Sequence, residues 1–268
     1  MNTFNDKVVW ITGASSGIGE ALAHAFAKQK ACLVLSSRRE DELLRVEKSL
    51  GLPAGHVMLV RMDMTATETF PEKVESVIKR FGRIDILIQN AGISQRGLAN
   101  ESSLTIDRRI MEVNYFGVVG LTKVVLPYLL AQKNGIIVPI SSIAGYVATP
   151  MRSSYAASKF AIRGFFDSLR AEIWREGLWV TIICPGYIKT AISLNALNAE
   201  GKPSQRMDDN QAKGINPEVC AQKILEAIRN RKREVYIAAT REKMGMYLER
   251  FAPGLLWRII RNYSIKSK

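Results

Sequence analysis

A chain of 268 residues, 47% hydrophobic and 24% charged, is long enough for one sizeable core and too apolar for wholesale disorder. Its three cysteines, Cys32, Cys184 and Cys220, are too few and too scattered for a disulfide framework or a metal site, so no metal is expected. The excess of 38 basic over 25 acidic residues leaves a net charge of +13, which can attract anionic partners, but no paired Cys and His or aromatic RNA-reading strand accompanies it, so no nucleic-acid partner is expected. Neither a secretory signal nor an uninterrupted apolar run of roughly 18 residues is found. The expectation is a cytoplasmic protein, at most peripheral to a membrane.

Short runs rich in Val, Ile and Leu fall at residues 8–12, 32–36, 57–61, 84–89, 136–141, 179–184 and 235–238 and read as strands buried on both faces. Amphipathic segments separate them at residues 17–29, 40–50, 70–81, 103–131, 152–175 and 217–229. Such β-α alternation predicts an α/β fold, a doubly wound Rossmann-type parallel sheet of about seven strands with helices on both faces. No linker divides the chain, so residues 1–240 form one catalytic domain and residues 241–268 a basic amphipathic extension. Pro139 falls inside a strand run, where its missing N–H predicts a bulge near Ser141. The polar stretch from Asn195 to Gly214 is too long for an ordinary connection and is expected to cover a substrate.

After the first strand the sequence reads TGASSGIG and passes straight into a strong helix. Gly13 permits the tight turn, Gly17 lets a pyrophosphate approach the backbone and Gly19 allows close helix–sheet packing. The helix N-terminus offers N–H groups to phosphate oxygens, so Ser15, Ser16 and Ile18 join these glycines as dinucleotide contacts. The second strand ends in Ser37-Arg38-Arg39 with no carboxylate to accept from a ribose 2′-hydroxyl. That favours NADP(H) over NAD(H), with Ser37 and Arg38 at the 2′-phosphate and Arg39 left as a surface cation.

Tyr155 and Lys159 stand four residues apart in a helical segment and share a face. A tyrosine of ordinary pKa about 10 is a poor acid or base at neutral pH, and a neighbouring ammonium would lower that value.

The motifs TGASSGIG, QNAG at residues 89–92, Asn114, SSIAG at residues 141–145, YAASK at residues 155–159 and PGYIKT at residues 185–190 occur in an order that resembles the short-chain dehydrogenase/reductase family over about residues 5–240. The resemblance implies a catalytic tetrad of Asn114, Ser142, Tyr155 and Lys159, with Ser142 taken over Ser141 from its interval to the tyrosine. Ser142 would hold the substrate oxygen, Tyr155 would exchange its proton, Lys159 would bind the nicotinamide ribose, and Asn114 would hold a relay water. It further implies adenine contacts at Asp63 and Met64 and a ribose-side wall of Asn90, Ala91 and Gly92. Pro185, Gly186, Ile188 and Thr190 would hold the nicotinamide. Gln89 departs from the usual Asn and is expected only to alter strand-end packing.

Tyr146, Met151, Tyr187, Leu194 and Leu197 read as an apolar wall with no cation placed to hold a carboxylate. The expected substrate is a hydrophobic ketone, aldehyde, sterol-like or lipid-like molecule, handled by a carbonyl reductase or its reverse. A non-catalytic NADP-binding sensor or membrane-surface scaffold on the same fold is the alternative. The resemblance also implies a homo-oligomer, a dimer or tetramer built through residues 103–131 and 152–175. In the tail, which has seven basic and two acidic residues, Leu255, Leu256, Ile259, Ile260 and Tyr263 share one helical face beside Arg258 and Arg261. That helix suits a membrane interface, a lid over the cleft or packing on another subunit.

Overall fold

A computed structural model describes residues 4–262; Tyr263 therefore lies outside the described residues. In chain order the elements are β1 (Val8–Thr12), α1 (Gly17–Ala27), β2 (Cys32–Ser37), α2 (Glu40–Ser49), β3 (Val57–Arg61), α3 (Phe70–Phe81) and β4 (Ile86–Gln89). There follow α4 (Leu104–Met111), α5 (Gly117–Gln132), β5 (Gly135–Pro139), α6 (Ser153–Ile173), β6 (Leu178–Val180) and β7 (Ile182–Pro185). The chain ends in α7 (Asp209–Ala212), α8 (Pro217–Arg229), β8 (Glu234–Ile237), α9 (Thr240–Phe251) and α10 (Pro253–Arg261).

Six parallel strands pair in the order β3-β2-β1-β4-β5-β6, and β7 pairs in parallel with β8. A bridge from Ile140 to Ile183 carries the sheet from β5 to β7, so β6 and β7 are consecutive stretches of one position. The predicted strand at residues 179–184 is thus divided at Thr181. Proline explains the division. The Thr181 N–H donates to the Ile137 carbonyl and the Ser141 N–H to the Ile183 carbonyl, and the ladder bond between them would need an N–H on residue 139. The expected bulge is absent, because Ile137 faces Val180 and Ile140 faces Ile183 at the same offset.

Side chains alternate across the sheet as strand geometry requires. Val9 and Ile11 join a core with α1, α2 and α8, whereas Val8 and Trp10 join one with α3, α5 and α6. The strand order reverses between β1 and β4, and their carboxyl ends meet there in the crevice where such sheets bind ligands.

The predicted helix at residues 103–131 is interrupted by a π-helical turn, Glu112–Phe116. The stretch Leu104–Gln132 is long and apolar enough to cross a membrane by length and composition, yet half of its most apolar window is buried. Leu121, Val125 and Leu129 pack it against the sheet as a core helix.

Candidate active site

A cleft of about 860 Å³ opens at the carboxyl ends of the strands, lined by Ile18, Asn90, Gly92, Ser142, Tyr155, Lys159, Pro185, Gly186, Ile188 and Thr190. On α6, Tyr155 and Lys159 are both buried, and the Lys159 ammonium lies 5.8 Å from the Tyr155 ring centre. Lys159 Nζ donates to the Ile140 carbonyl at 2.9 Å. Burial drags the ammonium pKa down to about 8.

The Ser142 hydroxyl stands beside the Tyr155 phenol and favours its ionised form. It donates to the Pro185 carbonyl at 3.3 Å and accepts from Ala144 N–H at 3.1 Å. Ser141 also lines the cleft, and its hydroxyl donates to the Lys159 carbonyl at 3.1 Å. Burial raises the phenol pKa, opposed by the Ser142 hydroxyl and by the Arg152 cation. Arg152, a cation that sequence reasoning did not single out, thus acts on Tyr155 from the cleft side.

Asn114 sits in the π-turn, a wide turn that such helices often keep at functional positions. Its amide donates to the Ile93 carbonyl at 2.9 Å and to Ser158 Oγ at 3.0 Å, while its Oδ1 accepts the Ile93 N–H at 2.8 Å. Both of its N–H groups are committed, so any water it holds must be held through an acceptor. A Cβ at Gly92 would lie 3.2 Å from Asn114 Oδ1 and 3.6 Å from Lys159 Nζ, so glycine keeps the space between these groups open.

The phosphate loop fits a dinucleotide. Gly13 and Gly17 both have positive φ, and a Cβ at Gly19 would fall 2.2 Å from the Gly13 carbonyl oxygen. Ser16 at the N-cap of α1 makes no capping hydrogen bond through its side chain, leaving the first-turn N–H groups for a phosphate. Asn90 works beneath the loop, its amide donating to the Thr12 carbonyl at 2.9 Å and the Gly13 carbonyl at 3.2 Å. Ala91 N–H donates to Thr12 Oγ1 at 3.0 Å.

Arg39 is not the idle surface cation expected: its guanidinium donates to Ser15 Oγ at 3.1 Å and Ser16 Oγ at 3.3 Å. Ser37 accepts the Arg39 N–H at 3.1 Å and shapes that turn. Arg38 lines a separate hollow with Arg61, Asp63 and Lys73. Burial pulls the Asp63 pKa up, but two hydrogen bonds from Thr65 and the Arg38 cation hold it below its ordinary value. Met64 is buried, and its carbonyl fills the space a side chain at Gly117 would take.

The apolar wall is only partly as expected. Met151 and Tyr187 line the cleft; Leu194 and Leu197 do not. Tyr146 turns its hydroxyl to Glu234 and Tyr236 instead. Gln89 packs as expected, its amide donating to the Val118 carbonyl and Thr122 Oγ1, both at 3.1 Å.

Sequence reasoning missed the cations of the cleft. Arg96 and Arg152 both pair with the buried Asp208 carboxylate, Arg152 at 3.1 Å. Asp208 also caps α7 and so ties the stretch from Asn195 to Gly214 to the start of α6. From α7, Gln211 donates to the Ile188 carbonyl and, at 3.3 Å, to Thr190 Oγ1. Only the unusual length of that polar stretch signalled any of this.

The sequence profile of the short chain dehydrogenase family matches residues 7–201. The Dehydrogenase/reductase SDR family protein 7-like of Anopheles gambiae is 45% identical over 267 residues, covering 98% of this chain and 84% of the relative. The Dehydrogenase/reductase SDR family member 7B of Bos taurus is 40% identical, covering 98% and 83%. Among solved structures, a short chain dehydrogenase/reductase from Burkholderia phymatum in complex with NAD superposes with a TM-score of 0.82 at 27% identity, covering 95% of this chain and 96% of the other. Levodione reductase superposes with a TM-score of 0.77 at 25% identity, covering 88% and 96%. The chain belongs to the short-chain dehydrogenase/reductase family, a family of oxidoreductases that use a nicotinamide cofactor.

Proposed function

We propose that the chain is an NADP(H)-dependent oxidoreductase that transfers hydride between the nicotinamide and a carbonyl or secondary alcohol of a hydrophobic substrate. The observation that carries this reading is the buried Tyr155 phenol, set with Ser142 and Lys159 in the wall of one cleft. Burial keeps that phenol protonated near neutral pH, the form that can give a proton to a carbonyl oxygen. Ser142 would hold the substrate oxygen and stabilise charge developing on it. Lys159 would hold the ribose hydroxyls, and a water held by an acceptor of Asn114 would relay the replacement proton to it from solvent. When bound, the nicotinamide supplies or accepts the hydride.

Two arginines and no carboxylate at the end of β2 support NADP(H), with Arg38, Arg39 and Ser37 around the 2′-phosphate. Gly13, Ser15, Ser16, Gly17, Ile18 and Gly19 would cradle the pyrophosphate, Asp63 and Met64 the adenine, and residues 90–92 the adjoining ribose. Pro185, Gly186, Ile188 and Thr190 would hold the nicotinamide. We place the enzyme in the cytoplasm, in keeping with its three free thiols, with peripheral membrane contact through the tail. Exposed Leu104, Phe116 and Phe160 on the π-turn and its flanking helices and on α6 support a homo-oligomer.

The test is titration with NADPH and NADH, followed by a carbonyl panel scored by cofactor absorbance. NADPH should bind more tightly, and a hydrophobic ketone or aldehyde should turn over. Tyr155→Phe should lower turnover about 10²- to 10⁴-fold while NADPH binding is retained. Binding of neither nucleotide, or substantial turnover by the variant, overturns the reading.

A further inference from the structure

Helices α9 and α10 are held on the active site from within. Glu242 of α9 accepts the Tyr187 N–H at 3.0 Å and the Ala239 N–H at 2.7 Å. Its carboxylate fills the place of a side chain at Gly186, whose Cβ would lie 2.2 Å from Glu242 Oε2. Leu256 of α10 is buried and lines the cleft together with Leu248 and Ile260. These contacts use one side of each helix.

The other side is open to solvent among the described residues. Tyr247, Phe251, Leu255 and Trp257 are exposed, Phe251 by 79% and Trp257 by 59%. Tyr247 and Phe251 share a face of α9 with Met244. Met244 and Ile259 belong to both surfaces: each lines the cleft and each is more than half exposed, at 57% and 51%. The exposed apolar surface therefore continues into the cleft mouth.

The charge around this surface is mostly of one sign. Arg241, Lys243, Arg250, Arg258 and Arg261 are exposed, and none of them forms an ion pair among the described residues. Glu249 is the exposed acid of these helices, since Glu242 is turned inward. The Arg261 guanidinium lies over the Trp257 ring at 4.7 Å. Basic residues flanking exposed aromatic and aliphatic groups match an anionic lipid surface, where rings sit at headgroup depth and cations meet the phosphates. A second copy docking face to face would bring like charges together, which argues against that occupant.

We propose that the outer face of α9 and α10 docks on an anionic phospholipid bilayer, so that the cleft mouth at Met244 and Ile259 opens toward the membrane and admits a lipid-like substrate from it. The substrate half of this inference rests on the cleft being a site for a hydrophobic carbonyl; the docking half does not.

The experiment is flotation of the full chain with phosphatidylcholine vesicles, with and without phosphatidylserine, at low and high salt, with NADPH binding measured on the same samples. The wild type should float with phosphatidylserine vesicles and be released by salt. Combined Arg250→Ser, Arg258→Ser and Arg261→Ser should weaken vesicle binding about tenfold or more, as should Phe251→Ser with Trp257→Ser, both retaining NADPH binding. Turnover of a long-chain ketone carried in the vesicles should fall in step, with turnover of a soluble ketone unchanged. Absence of flotation, equal flotation of wild type and variants, or loss of self-association in their place overturns the proposal. Flotation by a protein that binds no NADPH would leave the docking standing and defeat the oxidoreductase reading instead.

Discussion

Tyr155 and Lys159 are neighbours on one helix face, but burial acts on them in opposite senses. It favours the neutral form of each, raising the phenol pKa and lowering the ammonium to about 8. For Lys159 the sign follows from the ordinary value of 10.5: between about pH 8 and that value the unfolded chain binds more protons than the folded one, so stability rises with pH. Melting wild type and Lys159→Met from pH 7.5 upward should show the wild type gaining on the variant by at most about 3 kcal/mol. A constant difference would mean that the ammonium is not desolvated. The arginines at the end of β2 allow a second test. Arg38→Asp should shift preference toward NADH by about 10- to 100-fold, read from the ratio of nucleotide affinities. An unchanged ratio, with a loss in Arg39→Ala, would assign the 2′-phosphate to Arg39, already docked on Ser15 and Ser16.

Elements position these groups through their irregularities. The π-turn Glu112–Phe116 buries Asn114 beside Ile93 and Ser158. Pro139 removes a ladder bond just before Ile140, whose carbonyl accepts from Lys159, and Ser142, which reaches Tyr155. The short helix α7 is held by Asp208, at once its N-cap and the partner of Arg96 and Arg152. Burial raises the Asp208 pKa, but both arginines together hold it below the ordinary carboxylate value. Asp208→Asn keeps the cap acceptor and loses the charge. It should lower stability by about 1–3 kcal/mol, seen as a lower urea midpoint at unchanged slope, and raise KM for the carbonyl more than NADPH Kd. Equal KM in variant and wild type would detach the stretch from Asn195 to Gly214 from substrate binding.

For the molecule as a whole, the sheet separates two cores and leaves both the cleft and the phosphate loop at its carboxyl edge. Apolar groups left outside those cores mark where it meets other surfaces. Phe116 and Phe160 are exposed on the π-turn and α6, helices that the family resemblance assigns to subunit contact. Combined Phe116→Glu and Phe160→Glu should lower the mass measured by light scattering to that of one chain, with far-ultraviolet circular dichroism unchanged. A wild type that already has the mass of one chain would defeat the oligomer, and an unchanged larger mass would place the interface elsewhere. The exposed face of α9 and α10 is separate from these helices, so vesicle binding should survive that double substitution.

Much of the fold, and the pairing of Tyr155 with Lys159 on one helix face, was legible before any coordinates, because both rest on local order; Asn114 and Ser142 came only with the family resemblance. Strand runs of Val, Ile and Leu, glycines around one turn and a four-residue step along a helix specify themselves within a few residues. The bounds of α3 and α8 were readable for the same reason: each opens next to a proline and ends with its apolar period. What the sequence left open depends on residues far apart in the chain. That Pro139 would cost one bond to Thr181 and no bulge depended on which strand lay alongside. That Arg152 would oppose the effect of burial on Tyr155 depended on where that cation pointed, as did the pairing of Arg96 and Arg152 with Asp208. Helical periodicity showed that the tail has an apolar face. Only packing divided its apolar residues between Leu256, buried in the cleft, and Trp257, turned to solvent, because burial is decided by what lies opposite a side chain.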